Sequence, residues 1–259
     1  MDGVNKTLYI PLYGKAFVSK KGVILDDITA EDICAKVQFP LNKKAKSKWL
    51  AYYMAMRARV FDDWTTEKIK NSTDALVLHL GCGLDSRKVR ISAPILWYDV
   101  DFSDVINERN KYYTESENYK MLSADIRDIS FVNNLPQKNH AIVILEGVSM
   151  YIDNDDLKKL LSALKDKFNN LSILLDCYTP FAVKMSKIKN PIKDVGVNKV
   201  FGIKSPDVLE ETGVKFKKEH VITPIKLINQ LTGFERFHFK RLYAGKIAKS
   251  LYKLYEYEC

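Results

Sequence analysis

Apolar and polar positions along this chain follow two regimes. Between residues 74 and 178, short continuous apolar runs alternate with segments whose apolar residues recur at helical spacing. The runs are ALVLHL (75–80), ILWYDV (95–100), YKMLSA (119–124), HAIVILEG (140–147) and LSILLDCY (171–178). Runs with so few polar interruptions suit strands buried on both faces. Between them, DFSDVINERNKYY carries Val105, Ile106 and Tyr113 at helical intervals, and a further helix is expected to start near Asp85. DNDDLKKLLSALKDKF (153–168) has leucines at 157, 160, 161 and 164, an acidic first turn and lysines toward its end. That is the pattern of an amphipathic helix matched to its own dipole. Strand-helix alternation of this kind predicts an α/β fold with a parallel sheet covered on both faces.

The flanks read differently. Residues 1–73 are expected to form a helical N-terminal extension from about residue 29 onward, with KWLAYYMAMRARVFDDWTTEKIK as its longest pattern. Residues 74–259 form the core, with an inserted helix and loop around 179–205 punctuated by Pro180, Pro191 and Pro206. In the tail, VKFKKEHVI and FERFHFKRLY read as strands and KIAKSLYKLYEYE as a basic amphipathic segment.

Length and composition narrow the classes. The 259 residues, 46% hydrophobic and 28% charged, suit one decorated α/β domain rather than a disordered chain. No run approaches the roughly 18 apolar residues of a membrane span. The N-terminus carries Asp2 and lacks the charged start and long apolar stretch of a signal peptide. Cys34, Cys82, Cys177 and Cys259 show no CxxC or Cys/His spacing, so no metal site is expected and reduced thiols in a cytoplasmic compartment are. The net charge of +9 and the run LNKKAKSKW (41–49) raise a nucleic-acid partner. No nucleic-acid module accompanies that run, so it reads as a solvated face.

Chemistry concentrates where the strands end. Gly81 and Gly83 follow the first strand, Asp101 the second and Asp125 the third, and Glu146 ends the fourth. The intervals Gly81–Asp101, Asp101–Asp125 and Asp125–Glu146 are 20, 24 and 21 residues, one βα unit each, so all should share the carboxyl rim where open sheets bind ligands. Glycines let backbone approach a ligand and turn sharply. Asp101 can accept from ribose hydroxyls, and Asp125 with the Ile126 N–H can read adenine by one acceptor and one donor. A dinucleotide turn would place a third glycine where Ser86 stands, and Asp85 would repel a pyrophosphate. A nicotinamide-dependent oxidoreductase is therefore a lesser alternative, as is a non-catalytic or nucleic-acid-binding module. A phosphate-binding GK[ST] loop is absent. A cationic nucleoside reverses the electrostatic sign, because acids around the turn attract a sulfonium and an ammonium.

MRARVFDDW (56–64), VLHLGCGLDSRKVR, WYDVDFSDVINER, SADIRDI and ILEGVSMYI together resemble, in order, the leucine carboxyl methyltransferase family. The likeness is to its bacterial branch of polyketide-type, tetracenomycin-like O-methyltransferases. It extends over essentially the whole chain, with YGKA near residue 14 and the LYKLYEYE ending in agreement. The resemblance implies a class I S-adenosylmethionine-dependent methyltransferase: a Rossmann-like sheet, a helical extension and an inserted lid, with S-adenosylhomocysteine as product. It implies Arg59 on the cofactor's methionine carboxylate, Gly81 and Gly83 at the glycine loop, Asp101 at the ribose, Asp125 and Ile126 at adenine, and Glu146 beside the amino-acid half. It also implies an N-terminal lysine near the cofactor, for which Lys15, Lys20, Lys36 and Lys48 all compete. Acceptor selection falls to residues 1–58 and 179–205, with Tyr151, Tyr178, Phe181 and Met185 as candidate contacts for a small molecule or a peptide carboxylate. A carboxylate acceptor needs no base, whereas a hydroxyl does. Among His79, His140, His220 and His238 the sequence singles out none as that base.

Overall fold

The computed structural model describes residues 8–37, 41–188 and 199–259. Pro191 and part of the expected insertion lie outside the described residues, as do residues 1–7. Three helices precede the sheet: α1 (Tyr9–Lys20), α2 (Ile28–Lys36) and α3 (Lys48–Lys70). Asp27 caps α2, its carboxylate accepting from the Ala30 N–H at 2.9 Å. The first of these helices starts well before residue 29. Only five of its twelve residues are buried, which is why its sequence carries a weak pattern. It packs tightly on α3 because Gly14 has no side chain; an added Cβ would stand 3.2 Å from the Ala51 Cα.

The core then alternates. β1 (Ala75–Leu80), α4 (Arg87–Arg90), β2 (Leu96–Asp101), α5 (Ser103–Arg109), β3 (Tyr119–Ser123), β4 (His140–Leu145), α6 (Asn154–Lys167), β5 (Asn170–Tyr178) and α7 (Pro180–Ile188) follow in order. The tail holds β6 (Lys215–Glu219), α8 (Ile225–Ile228), α9 (Gly233–Leu242), α10 (Lys246–Leu251) and β7 (Tyr252–Glu258). The seven strands are ordered β3-β2-β1-β4-β5-β7-β6, with β7 antiparallel to both its neighbours and β1 to β5 paired in parallel. This is the class I methyltransferase arrangement, so the five central runs become the strands their apolar continuity requires.

Two readings of the tail are corrected. FERFHFKRLY is helix α9, with only Phe239 buried while Phe234 and Phe237 face solvent. The last strand lies instead in the segment read as amphipathic, where Leu254 packs on one side of β7 and Tyr255 and Tyr257 on the other. Its polar residues find partners only in three dimensions, as Lys253 does with Glu219 at 2.8 Å.

The sheet is covered unequally. On one face α6 buries Leu157, Leu160, Leu161 and Leu164 against Leu78, Val143 and Ile173. Each such leucine contributes roughly 1.5–3 kcal/mol of transfer free energy. On the other face, Leu12 of α1, Ile33 of α2 and Phe61 and Trp64 of α3 pack against Val77, Ile142, Ile144 and Leu254. The extension is therefore a layer of the fold, and α3 brings its polar residues to the carboxyl rim. Among the described residues no helix is long and apolar enough to cross a membrane.

Candidate active site

The turn after β1 is built from both sides. Gly81 has φ +67°, and an added Cβ would overlap a Val148 methyl carbon, so the chain can pass here only without a side chain. Gly81 N donates to Val100 O at 2.8 Å, tying the turn to the end of β2. At that end, Asp101 accepts from Gly83 N and from Phe102 N, both at 2.8 Å, and burial pushes its carboxyl up from the usual range. From behind, the buried Arg109 of α5 donates to Gly83 O at 2.9 Å and Asp85 O at 2.7 Å and pairs with Asp99. Its guanidinium sits 4.1 Å from the Tyr113 ring centroid, while the Tyr113 hydroxyl donates to Leu84 O at 2.9 Å. The carbonyls of the turn are thus clamped into the protein.

Across the rim lies a buried charge cluster. Arg57 of α3 donates from Nε to Glu146 at 3.1 Å and pairs through Nη1 with Asp176 at 2.9 Å. Asp176, on β5, also accepts from Gly147 N at 2.7 Å and from the Tyr252 hydroxyl at 2.6 Å. Arg87, fully buried, joins Asp62 at 2.6 Å, Asp85 at 3.1 Å and Glu146. Asp85 further receives Arg90 at 2.9 Å and Lys15 at 3.0 Å. Burial pushes the Glu146 carboxyl up, but Arg87 and Arg57 pull it below the usual range. Asp85 is likewise raised by burial and carried well below by Arg87, Arg90 and Lys15. For Asp176 burial wins, and its carboxyl lies above the usual range despite Arg57.

The expected residues are distributed unevenly over this geometry. Gly81, Gly83 and Asp101 meet in one turn, and Glu146 stands one residue before the Gly147–Val148 segment that abuts Gly81. Asp125 lies at the same rim beyond β3, its carboxylate held by Arg127 at 2.6 Å and thereby lowered; Ile126 is buried beside it. Arg59 is elsewhere: its side chain is 43% exposed and bound to Asp63 at 2.7 Å, the local i,i+4 pair of a helix surface. Two residues earlier on α3, Arg57 is the arginine that turns to the rim, buried against Glu146 and Asp176. Of the competing lysines, Lys15 is buried on Asp85, Lys48 pairs with Glu235, and Lys20 and Lys36 are exposed. Tyr178 closes β5 with its ring 5.2 Å from that of Tyr252, and Tyr151 is half-buried in the turn Ser149–Tyr151. Phe181 and Met185, on α7, are 49% and 43% exposed.

Sequence reasoning missed Arg57, Arg87, Arg90, Arg109 and Asp176. One signal was available: Arg109 falls one turn after Val105 and Ile106 on the apolar side of α5, where a solvated arginine is out of place.

A model of the family "Leucine carboxyl methyltransferase" matches residues 5–165, from α1 through most of α6. The chain belongs to the leucine carboxyl methyltransferase family. It is accordingly an S-adenosylmethionine-dependent methyltransferase. It is 28% identical over 224 residues to the tetracenomycin polyketide synthesis O-methyltransferase TcmP of Streptomyces glaucescens, covering 85% of this chain and 83% of that one. It is 25% identical over 191 residues to the S-adenosyl-L-methionine-dependent methyltransferase dpfgK of Gibberella zeae, covering 67% of this chain and 64% of that one. In fold it is similar to the crystal structure of magnesium protoporphyrin IX methyltransferase from Synechocystis with bound S-adenosylhomocysteine. There the TM-score is 0.53 at 14% identity, with 89% of this chain and 92% of that one covered.

Proposed function

We propose that this methyltransferase acts on an oxygen, a carboxylate or hydroxyl, of a small molecule of polyketide type. The reading rests on the Gly81–Gly83 turn with Asp101 seated on it and Asp85 following it, facing Glu146 and Asp176 across the rim. Such a rim suits a ligand bearing a sulfonium and an ammonium and repels a pyrophosphate. When bound, S-adenosylmethionine supplies a methyl group made electrophilic by the adjoining positive sulfur.

The residues divide the work of holding it. Asp101 has lone pairs left after its two backbone bonds and accepts from ribose hydroxyls. Asp125 and the Ile126 N–H take the adenine edge. Arg57, rather than Arg59, receives the amino-acid carboxylate, because a guanidinium already oriented by Glu146 and Asp176 presents a planar fork at the rim. Glu146 and Asp176 then accept from the ammonium group, and Lys15 fixes Asp85 and with it the turn. The bare Gly81 corner would let backbone approach the cofactor closely. The acceptor class is supported by the likeness to TcmP, a polyketide synthesis O-methyltransferase matched over most of both chains.

Calorimetry with S-adenosylhomocysteine tests the cofactor site. The wild type should bind it and ignore NADH. Asp101→Ala removes charge-assisted hydrogen bonds worth about 1.5–3 kcal/mol, so its affinity should fall by roughly 10- to 150-fold. Unaltered binding by this variant, or none by the wild type, would overturn the assignment. A paired comparison tests the helix: Arg57→Gln should weaken binding at least about tenfold, whereas Arg59→Gln, exposed and locally paired, should stay within about twofold. Equal losses would return the role to Arg59.

A further inference from the structure

Tyr252, whose hydroxyl is bound to Asp176, also lines a cavity of roughly 210 Å³ on the α3 side of the sheet. Tyr53 of α3, Tyr243 after α9, Ile222, Ala248 of α10 and His220 complete most of its wall. The rings of Tyr53 and Tyr178 stand nearly edge-on to Tyr252, at 6.3 and 5.2 Å between centroids, so the Tyr252 ring touches both the cavity wall and the end of β5. The volume is below the ~300–1,000 Å³ of pockets that take a whole drug-sized ligand, and it suits one aromatic ring.

His220 gives this cavity a chemical function. Its backbone N–H donates to Leu254 O at 2.8 Å, and its Nε2 lies 2.6 Å from Glu256 Oε2. The Glu256 side chain is 1% exposed and is held also by Lys68 at 2.8 Å and by Lys218 at 3.7 Å. Burial raises its carboxyl, but His220 and Lys68 pull it well below the usual range, so it remains an anion. An anionic partner fixes the proton on Nε2 and leaves Nδ1 as an acceptor; Nδ1 makes no hydrogen bond among the described residues. The other titratable groups on the wall are Glu219, paired with Lys253 at 2.8 Å, Lys249, Tyr53 and Tyr243.

Resting on the O-methyltransfer reading above, we propose that the cavity receives one phenolic ring of the acceptor and that His220, oriented by Glu256, removes the phenol proton. The phenol O–H bond breaks with its proton passing to Nδ1. The oxygen forms its bond to the methyl carbon as the carbon–sulfur bond breaks, leaving its electron pair on sulfur. The imidazolium returns the proton to water once the ether departs. A phenol ionises near pH 10, so at neutral pH it needs such a base, whereas a carboxylate does not.

The full chain, carrying only His79, His140, His220 and His238, gives a resolvable ¹³C-imidazole spectrum in which His220→Gln assigns one signal. With S-adenosylhomocysteine present, 4-methylphenol should shift the His220 signal saturably, and 4-methylbenzoate at least about tenfold more weakly. Ala248→Trp, which fills the cavity, should abolish the response, and Glu256→Gln, which loosens the hold on the ring, should weaken it. With S-adenosylmethionine, the methyl ether of 4-methylphenol should form, and His220→Gln should lower kcat by about 100-fold or more with KM changed less than threefold. No saturable shift, an equal shift with the benzoate, an undiminished response in Glu256→Gln, no ether from the wild type, or a His220→Gln rate within tenfold would each overturn the proposal. A chain that binds S-adenosylhomocysteine yet shows no His220 response refutes the cavity alone. One that responds to 4-methylphenol without binding S-adenosylhomocysteine refutes the cofactor assignment instead.

Discussion

Gly81→Ala should lower the melting temperature by roughly 4–20 °C and remove measurable binding of S-adenosylhomocysteine. Two costs combine at this residue. A φ of +67° costs an alanine about 1–2 kcal/mol, and the new Cβ must displace Val148, an overpacking penalty of about 1–3 kcal/mol. At roughly 2–4 °C per kcal/mol for a chain of this size, the sum gives the stated range. Gly22 provides the control, because it has nearly the same φ of +66° but nothing within 4 Å of an added Cβ. Gly22→Ala should therefore lose only the backbone contribution, a few degrees, and bind the ligand normally. Val148→Ala placed on the Gly81→Ala background should recover the overlap part and not the rest. Scanning calorimetry decides: if the two alanine variants melt together, close packing under the turn is not what demands glycine there.

β1, β4 and β5 were legible because burial on both faces leaves a continuous apolar run, a pattern that helices and loops on the surface do not make. β3, the shortest of the parallel strands, lies at the sheet edge with only Tyr119 buried and gave the most polar run. β7 escaped for the converse reason. It lies inside the sheet, yet Lys253, Glu256 and Glu258 keep it polar in sequence, and partners from other segments, Glu219, His220, Lys68, Lys217 and Lys218, make that tolerable. α9 misled in the opposite direction, since Phe234 and Phe237 are apolar residues that pack under nothing. Local pattern reports burial, and it fails where tertiary partners reverse the usual link between polarity and exposure.

The site divides along the same line. Gly81, Gly83, Asp101 and Glu146 were readable because the βα period places strand ends at regular intervals on one rim. Arg57 and Arg59 are two residues apart on α3, about 200° around the helix, and only the packing of that helix on the sheet decides which one turns inward. Spacing is equally silent on Lys15, Arg87, Arg90 and Arg109. Each is a cation whose burial needs carboxylates from other segments, as Arg87 and Arg90 need Asp62 besides the nearby Asp85, and spacing alone does not announce those partners.

Arg87→Met should cost about 3–5 kcal/mol at neutral pH, or roughly 6–20 °C in melting temperature. The guanidinium is fully buried between Asp62, Asp85 and Glu146, and removing it strands carboxylates that Arg90, Lys15 and Arg57 only partly compensate. The pH dependence separates this cause from simple loss of packing. In the wild type, Asp62, Asp85 and Glu146 lie below their usual values, so their contribution is complete above about pH 4 and is lost as the pH falls through their folded-state values. Asp101 and Asp176 are raised by burial; they favour the folded state below about pH 4 and lose that contribution as the pH rises through their folded values. Without Arg87, Asp85 and Glu146 shift toward this second group, and the folded variant takes up protons that its unfolded chain does not. Its deficit against the wild type should accordingly shrink between pH 7.5 and pH 5, and Glu146→Gln on the variant background should recover part of it at neutral pH. Urea melts at the two pH values measure this directly. A deficit that stays constant or widens toward acid would mean that Arg87 acts by filling space, and that the carboxylates around it are held by something else.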